Sequence, residues 1–278
     1  MRRFALLSAL LLAWPAAGAL AAAPRPELLD ARSLAMGGAL RSLAGPVEAA
    51  RVNPAALGPV RGFFAGTSYA TGRRHPVDAF SLTLVDNVTS PMGGALQYLR
   101  VNGPEEREDV SLSLAAGKTG LWWGFTVRYV HGREDDTTRW KDVFTGDLGF
   151  LFERPGGLRI AAVGQDLLDT SLGYLERRIA LGVSKDVRWG WTLAADVVRT
   201  LDRDVSRGTD LHLGAEHALG DTPWRFRLGQ LWRGDTGKDY GSVGVGWSWR
   251  TLTVGYGVQR ARQSSDEILH AVSAEGVF

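Results

Sequence analysis

The chain has 278 residues, 45% of them hydrophobic and 22% charged, with 32 Lys and Arg against 30 Asp and Glu. That apolar fraction excludes a disordered chain, and the near-balance of charge gives no electrostatic reason to expect nucleic acid as a partner. The absence of cysteine excludes disulfides and thiol chemistry, while 35 glycines and 10 tryptophans are high counts that the fold must explain.

The first segment reads as a secretory signal peptide over residues 1–21. Arg2 and Arg3 form a basic start, Phe4 to Trp14 an apolar core too short to span a bilayer, and Ala19-Leu20-Ala21 an A-x-A cleavage site. The competing reading is an N-terminal membrane anchor. Residues 22–60 follow as a distinct segment, whose centre is SLAMGGALRSLAGPVEAARVNPAAL. It is rich in Ala and Gly and carries no strand pattern. Pro54 fixes the backbone and stops a helix at Asn53, whose side chain can bond the local backbone.

From Arg61 to the end the periodicity is two. In SVGVGWSWR, Val243, Val245, Trp247 and Trp249 share one face, and Gly244, Gly246, Ser248 and Arg250 the other. Leu252, Val254, Tyr256 and Val258 repeat the pattern, as do Trp224, Phe226 and Leu228, then Leu211, Leu213 and Ala215. One apolar face fits a soluble sandwich or a barrel that turns it to lipid. Segment length favours the barrel, because a tilted membrane strand needs about 9–11 residues. Trp122, Trp123, Trp189, Trp191, Trp224 and Trp249 lie near short turns, as an interfacial girdle would. Alternation and turn residues give about fourteen strands over residues 61–278, joined alternately by tight turns and longer loops. The predicted fold is therefore all-β, a transmembrane antiparallel barrel in an outer membrane, with bilayer lipid around it.

Such a barrel has a lumen too wide for side chains alone to fill. The segment 22–60 suits a plug folded into it, the alternative being a free periplasmic tail. Inward glycines at 214, 229, 244, 246, 255 and 257 then either leave volume or let the plug approach the wall.

Other motifs carry less. Inward charges include Arg128, Asp147, Arg178, Asp196, Glu216, Arg225 and Arg227. Arg225 and Arg227 could anchor a ligand carboxylate, or the set could be an ion-pair network that stiffens the barrel and holds the plug. Gly93-Gly94 reads as a bulge or kink suited to a lateral opening, or as a plain turn pair. Asn87-Val88-Thr89 reads as turn chemistry. The five histidines show no metal spacing, no catalytic constellation is recognisable, and GSVGVG lies mid-strand with no helix after it. No cofactor and no enzymatic activity are expected.

The stretch ARSLAMGGALRSLAGPVEAARVNPAALG resembles the N-terminal signature of the FadL-like outer-membrane superfamily, including its PorV/PorQ branch. Gly37, Gly38, Asn53, Pro54 and Ala55 match that signature, and GQDLLD, TLAADVV, HLGAEH and HAVSAEGVF resemble later segments. The resemblance implies a fourteen-stranded barrel with an N-terminal hatch, and a gating role for the Asn-Pro-Ala triplet beside its plain reading as a stop signal. It implies passage of hydrophobic, fatty-acid-like molecules or, in the secretion-associated branch, partnership with a secretion or surface-assembly system. The closing Phe278 resembles the signal that outer-membrane assembly machinery reads.

Overall fold

The computed structural model describes residues 25–73, 77–103, 106–133, 139–168, 171–202, 208–264 and 266–278. The segment read as a signal peptide lies outside the described residues. The first half of the sheet is β1 (Phe63–Gly72), β2 (Asp78–Asp86), β3 (Gly93–Asn102), β4 (Glu106–Lys118), β5 (Leu121–Arg133), β6 (Lys141–Arg154) and β7 (Leu158–Gln165). The second half is β8 (Arg178–Asp186), β9 (Trp191–Thr200), β10 (Thr209–Ala218), β11 (Trp224–Arg233), β12 (Lys238–Trp249), β13 (Leu252–Ala261) and β14 (Ile268–Val277). Each strand pairs antiparallel with its sequence neighbours, and β1 closes on β14 from Phe64↔Val277 to Gly72↔Leu269. Closure leaves no edge, so the wall's backbone groups are paired within the sheet, as hydrocarbon surroundings require.

Strand β2 shows why these residues form this wall. Ala79, Ser81, Thr83 and Val85 point inward and are buried, whereas Phe80, Leu82 and Leu84 point outward and are 44–50% exposed. Outward apolar residues recur around the barrel, among them Leu112, Phe144, Leu181 and Leu228. A soluble protein does not present so continuous an apolar surface, and lipid is the solvent that suits it. The tight turns have the sequence their geometry needs. Between β4 and β5, Thr119 and Gly120 take φ of 56° and 80°, the two positive values of a type I′ hairpin.

The tryptophans divide. Trp123, Trp189, Trp224 and Trp249 are exposed on the outer face near the short turns. Trp122 corrects the girdle expectation: it faces the lumen and packs on the apolar cluster of the plug. It sits one residue from Trp123, and in a strand adjacent side chains take opposite faces.

Inside the barrel, two short helices, α1 (Ala31–Ala35) and α2 (Pro46–Val52), and 3₁₀ turns at Pro26–Leu28 and Pro54–Leu57 form the plug. Asp30 caps α1 by accepting from the N–H groups of Arg32 and Ser33. Pro46 starts α2, and Glu48 accepts from the Gly45 N–H at 2.7 Å. Asn53 is extended at the end of α2, where Pro54 forbids continuation.

Candidate functional site

The plug meets the wall where glycines face each other across neighbouring strands. Gly124 of β5 is opposite Gly149 of β6, Gly214 of β10 opposite Gly229 of β11, and Gly244 of β12 opposite Gly257 of β13. Each pair makes a notch with no side chain on the luminal face. The Asn53-Pro54-Ala55 triplet fills the first: a Cβ on Gly124 would lie 2.6 Å from the Pro54 carbonyl carbon, and one on Gly149 would strike Asn53 Oδ1. The Met36-Gly37 turn fills the second, with Met36 Cε 2.7 Å from a Cβ built on Gly214. Ala31 and Ala35 of α1 fill the third. Of the two roles open to inward glycine, close approach is the one these positions serve.

The Met36-Gly37-Gly38 turn is itself a helix stop. Gly38 N–H donates to the Ser33 carbonyl at 2.8 Å and Gly37 N–H to the Leu34 carbonyl at 3.1 Å, with Gly37 left-handed at φ 63°. The turn presents the Gly37 carbonyl to His212 Nδ1 at 2.7 Å, where His212 is fully buried.

Charge fixes the plug to one side of the wall. Arg41 is fully buried: its backbone N–H donates to Asp196 Oδ2 at 3.0 Å, and its Nη2 reaches Glu27 and Gln165 at 3.3 Å each. Glu27 accepts from Arg178 Nη1 at 2.6 Å. Arg25 pairs with Asp210 at 2.6 Å. Arg32 Nε donates to Glu216 at 3.1 Å, and Arg227 Nε meets the same carboxylate at 2.6 Å. Burial opposes the charge of Glu27, yet Arg178, Arg41 and Arg25 together hold its carboxyl below the usual carboxylate range. Among the described residues, every ion pair from plug to strand lands on β8, β9 or β10. Among the described residues the opposite wall sends no ion pair to the plug; its charges pair within the wall, as Arg107 does with Asp109 and Arg128 with Asp147, and it is hydroxyl-rich, with Ser68 on Ser81 at 2.7 Å, Gln97 on Thr83 at 2.6 Å and Ser113 on Thr126 at 2.8 Å.

The residues singled out by sequence are therefore placed as follows. Asn53 is fully buried; its Nδ2 donates to the Arg41 carbonyl at 2.8 Å and its Oδ1 accepts from Ala55 N–H at 3.1 Å. Arg227 and Glu216 belong to the plug's ion-pair network, and Arg225 lies at its rim, 3.7 Å from Glu216. Arg128 pairs within the wall, with Asp147 and with Asp166 at 2.8 Å. Gly93 and Gly94 open β3 in a register that runs unbroken against both β2 and β4, without a bulge. Phe278 carries an exposed ring beside Gly276, and its N–H donates to the Phe63 carbonyl at 3.0 Å.

Four site residues escaped sequence reasoning: Glu27, Arg41, His212 as a plug contact, and Asn87. Asn87 is buried, and its Nδ2 binds the carbonyls of Leu57 and Val60 where the plug joins β1. Isolated charges in an Ala/Gly segment were the available signal for the first two, since a charge that folds inside must find a partner.

A polar cavity and a packed apolar layer flank the plug. At the short-turn end, a polar cavity of about 230 Å³ is lined by Arg32, Glu48, Glu216, Arg225 and Glu275 among others. At the long-loop end the inward wall turns apolar, with Ala70, Leu99, Leu231 and Leu269, and the plug's Leu28, Leu29 and Leu34 pack there. Among the described residues no group of three His, Asp or Glu could hold a metal.

No family model matches the sequence, and no curated protein matches it. Solved structures match the fold. The Ralstonia pickettii toluene transporter TbuX is similar at a TM-score of 0.68 and 12% identity, over 90% of this chain and 98% of that one. The P. putida toluene transporter TodX gives 0.64 and 13% over 90% and 98%. A Pseudomonas aeruginosa FadL homologue gives 0.63 and 10% over 89% and 98%. The class is thus a closed, membrane-type β-barrel of fourteen strands with a luminal plug. Within it, the chain has the FadL-like fold.

Proposed function

We propose that this protein sits in the outer membrane of a Gram-negative bacterium and lets hydrophobic small molecules pass through a plugged lumen, without catalysis. The observation that carries this reading is the apolar cluster at the long-loop end, where the plug's own Leu28 and Leu29 pack against the wall. An apolar molecule entering there replaces leucine contacts with its own, so displacement of the 3₁₀ turn Pro26–Leu28 costs little apolar burial. Short turns mark the periplasmic end and long loops the external one, so the cluster lies toward the outside. The toluene transporters that share the fold favour the same substrate class. The test is uptake of the apolar dye N-phenylnaphthylamine by cells making the full chain. Faster uptake than in cells lacking it supports the reading; an unchanged rate, with the barrel folded in the membrane, rejects it.

The density of ion pairs around Arg41 and Glu27 favours a second reading, a PorV-like secretion or surface-assembly partner in which the plug is a permanent seal. That reading expects a protein companion on gentle extraction and no dye uptake.

A further inference from the structure

Arg51 differs from the other buried charges of the plug. It is 7% exposed on α2, makes no ion pair among the described residues, and leaves Nη1 without a hydrogen-bond partner. Asp109 of β4 is 4% exposed; Arg107 Nε stands 3.6 Å away, and Asp109 Oδ1 has no partner. Both residues line one enclosed cavity of about 20 Å³, with Gln97, Leu99, Ser111 and Gln165. The other two guanidiniums at its border are already answered, Arg128 by Asp147 and Asp166, Arg178 by Glu27. A buried donor without an acceptor and a buried acceptor without a donor are each costly. Two such orphans of opposite kind around one space point to an occupant that serves both.

The space exceeds the roughly 10–15 Å³ that one water-sized group needs. A carboxylate would satisfy Arg51 and be repelled by Asp109. An ammonium would satisfy Asp109 and be repelled by three arginines. A hydroxyl oxygen accepts from Arg51 while its proton is donated to Asp109, and it stays neutral. Leu99 lines the cavity and also belongs to the apolar cluster with Leu28, Leu29 and Val101. A molecule whose hydroxyl sits in the cavity therefore lays its apolar body along Leu99, on ground the plug leucines now hold.

We propose that the cavity between α2, β3 and β4 is a polar subsite for the hydroxyl of an apolar alcohol or phenol. This deepens the passage reading and rests on it for how such a molecule arrives. Calorimetric titration of the full-length protein in lipid nanodiscs tests it, with empty nanodiscs as reference. The probes are p-cresol, toluene and p-toluate, which share a ring and carry a hydroxyl, nothing or a carboxylate. p-Cresol is expected to bind one to one and about tenfold tighter than either, the lower end for a hydrogen bond to a charged group. Arg51→Met and Asp109→Leu should each reduce that preference below about twofold. Because Arg51→Met also deletes an unpaired buried charge, it should fold with an undiminished melting temperature. Equal binding of the three probes would leave the cavity to a bridging water and overturn the proposal, and tighter p-toluate would overturn it in favour of an anion site. The titration reads binding and not flux. Dye uptake without a p-cresol preference ends this inference and leaves the proposed function; a p-cresol preference without dye uptake does the reverse.

Discussion

Arg41 concentrates the physics of the site in one side chain. It is fully buried and answers both Asp196 and Glu27. Truncation to alanine strands the Asp196 carboxylate inside the barrel and leaves Glu27, among the described residues, ion-paired with Arg178 alone, so Arg41→Ala should cost about 3–5 kcal/mol of plug docking. Hydrogen exchange over residues 31–57 should then accelerate while the strands keep their protection. Asn53→Ala removes the donor to the Arg41 carbonyl and the acceptor for Ala55 N–H, a loss of about 1–3 kcal/mol by the same measurement. The pH response follows from Glu27, whose carboxyl is held below its ordinary range by three arginines despite burial. A depressed value stabilises above the unfolded range and is lost only as pH falls toward the folded value. The Glu27 contribution to plug protection, measured as the difference between the natural chain and Glu27→Gln, should therefore be flat from about pH 7 to about pH 5 and decline only in stronger acid.

At the scale of elements, the plug is held unequally. Its ion pairs go to β8, β9 and β10, while β1 to β5 offer hydroxyl pairs that bond across neighbouring strands, with Ser68 also donating to the plug's Leu29 carbonyl at 3.1 Å. Asp196→Asn should raise the plug's opening, read as channel events in planar bilayers, by about tenfold or more, because it leaves Arg41 poorly answered. Ser113→Ala should change it by less than about twofold, since Ser113 bonds Thr126 within the wall and its loss falls on the barrel in both plug states. Much of this was legible beforehand. Alternation in SVGVGWSWR and its neighbours marked the strands, and Asn53-Pro54 marked the end of α2. The cross-strand alignment of Gly124 with Gly149, or Gly214 with Gly229, was not legible, because register depends on turn geometry many residues away. For the same reason Asn87 read as turn chemistry, although its partners lie on the plug, about 30 residues earlier in the chain. Trp122 was assigned outward because a girdle signal cannot tell which of two adjacent tryptophans faces lipid.

The whole molecule is a closed wall with a filled centre. Closure of β1 on β14 leaves no edge from which unfolding can start, so the folded band on gels should migrate apart from the boiled one. The glycine notches make the fit of plug to wall a property of both. Gly229→Val should leave the barrel intact and expel the Met36-Gly37 turn, since its side chain would enter the Gly37 backbone, with a cost of about 1–3 kcal/mol seen as faster exchange in residues 31–57. The most direct single measurement is ion conductance in planar bilayers of the full chain against a chain lacking residues 25–60. A plug that closes an otherwise open lumen predicts a nearly silent full chain and a steady channel without the segment. Equal conductance from the two would contradict the account, because the segment would then not be what closes the barrel.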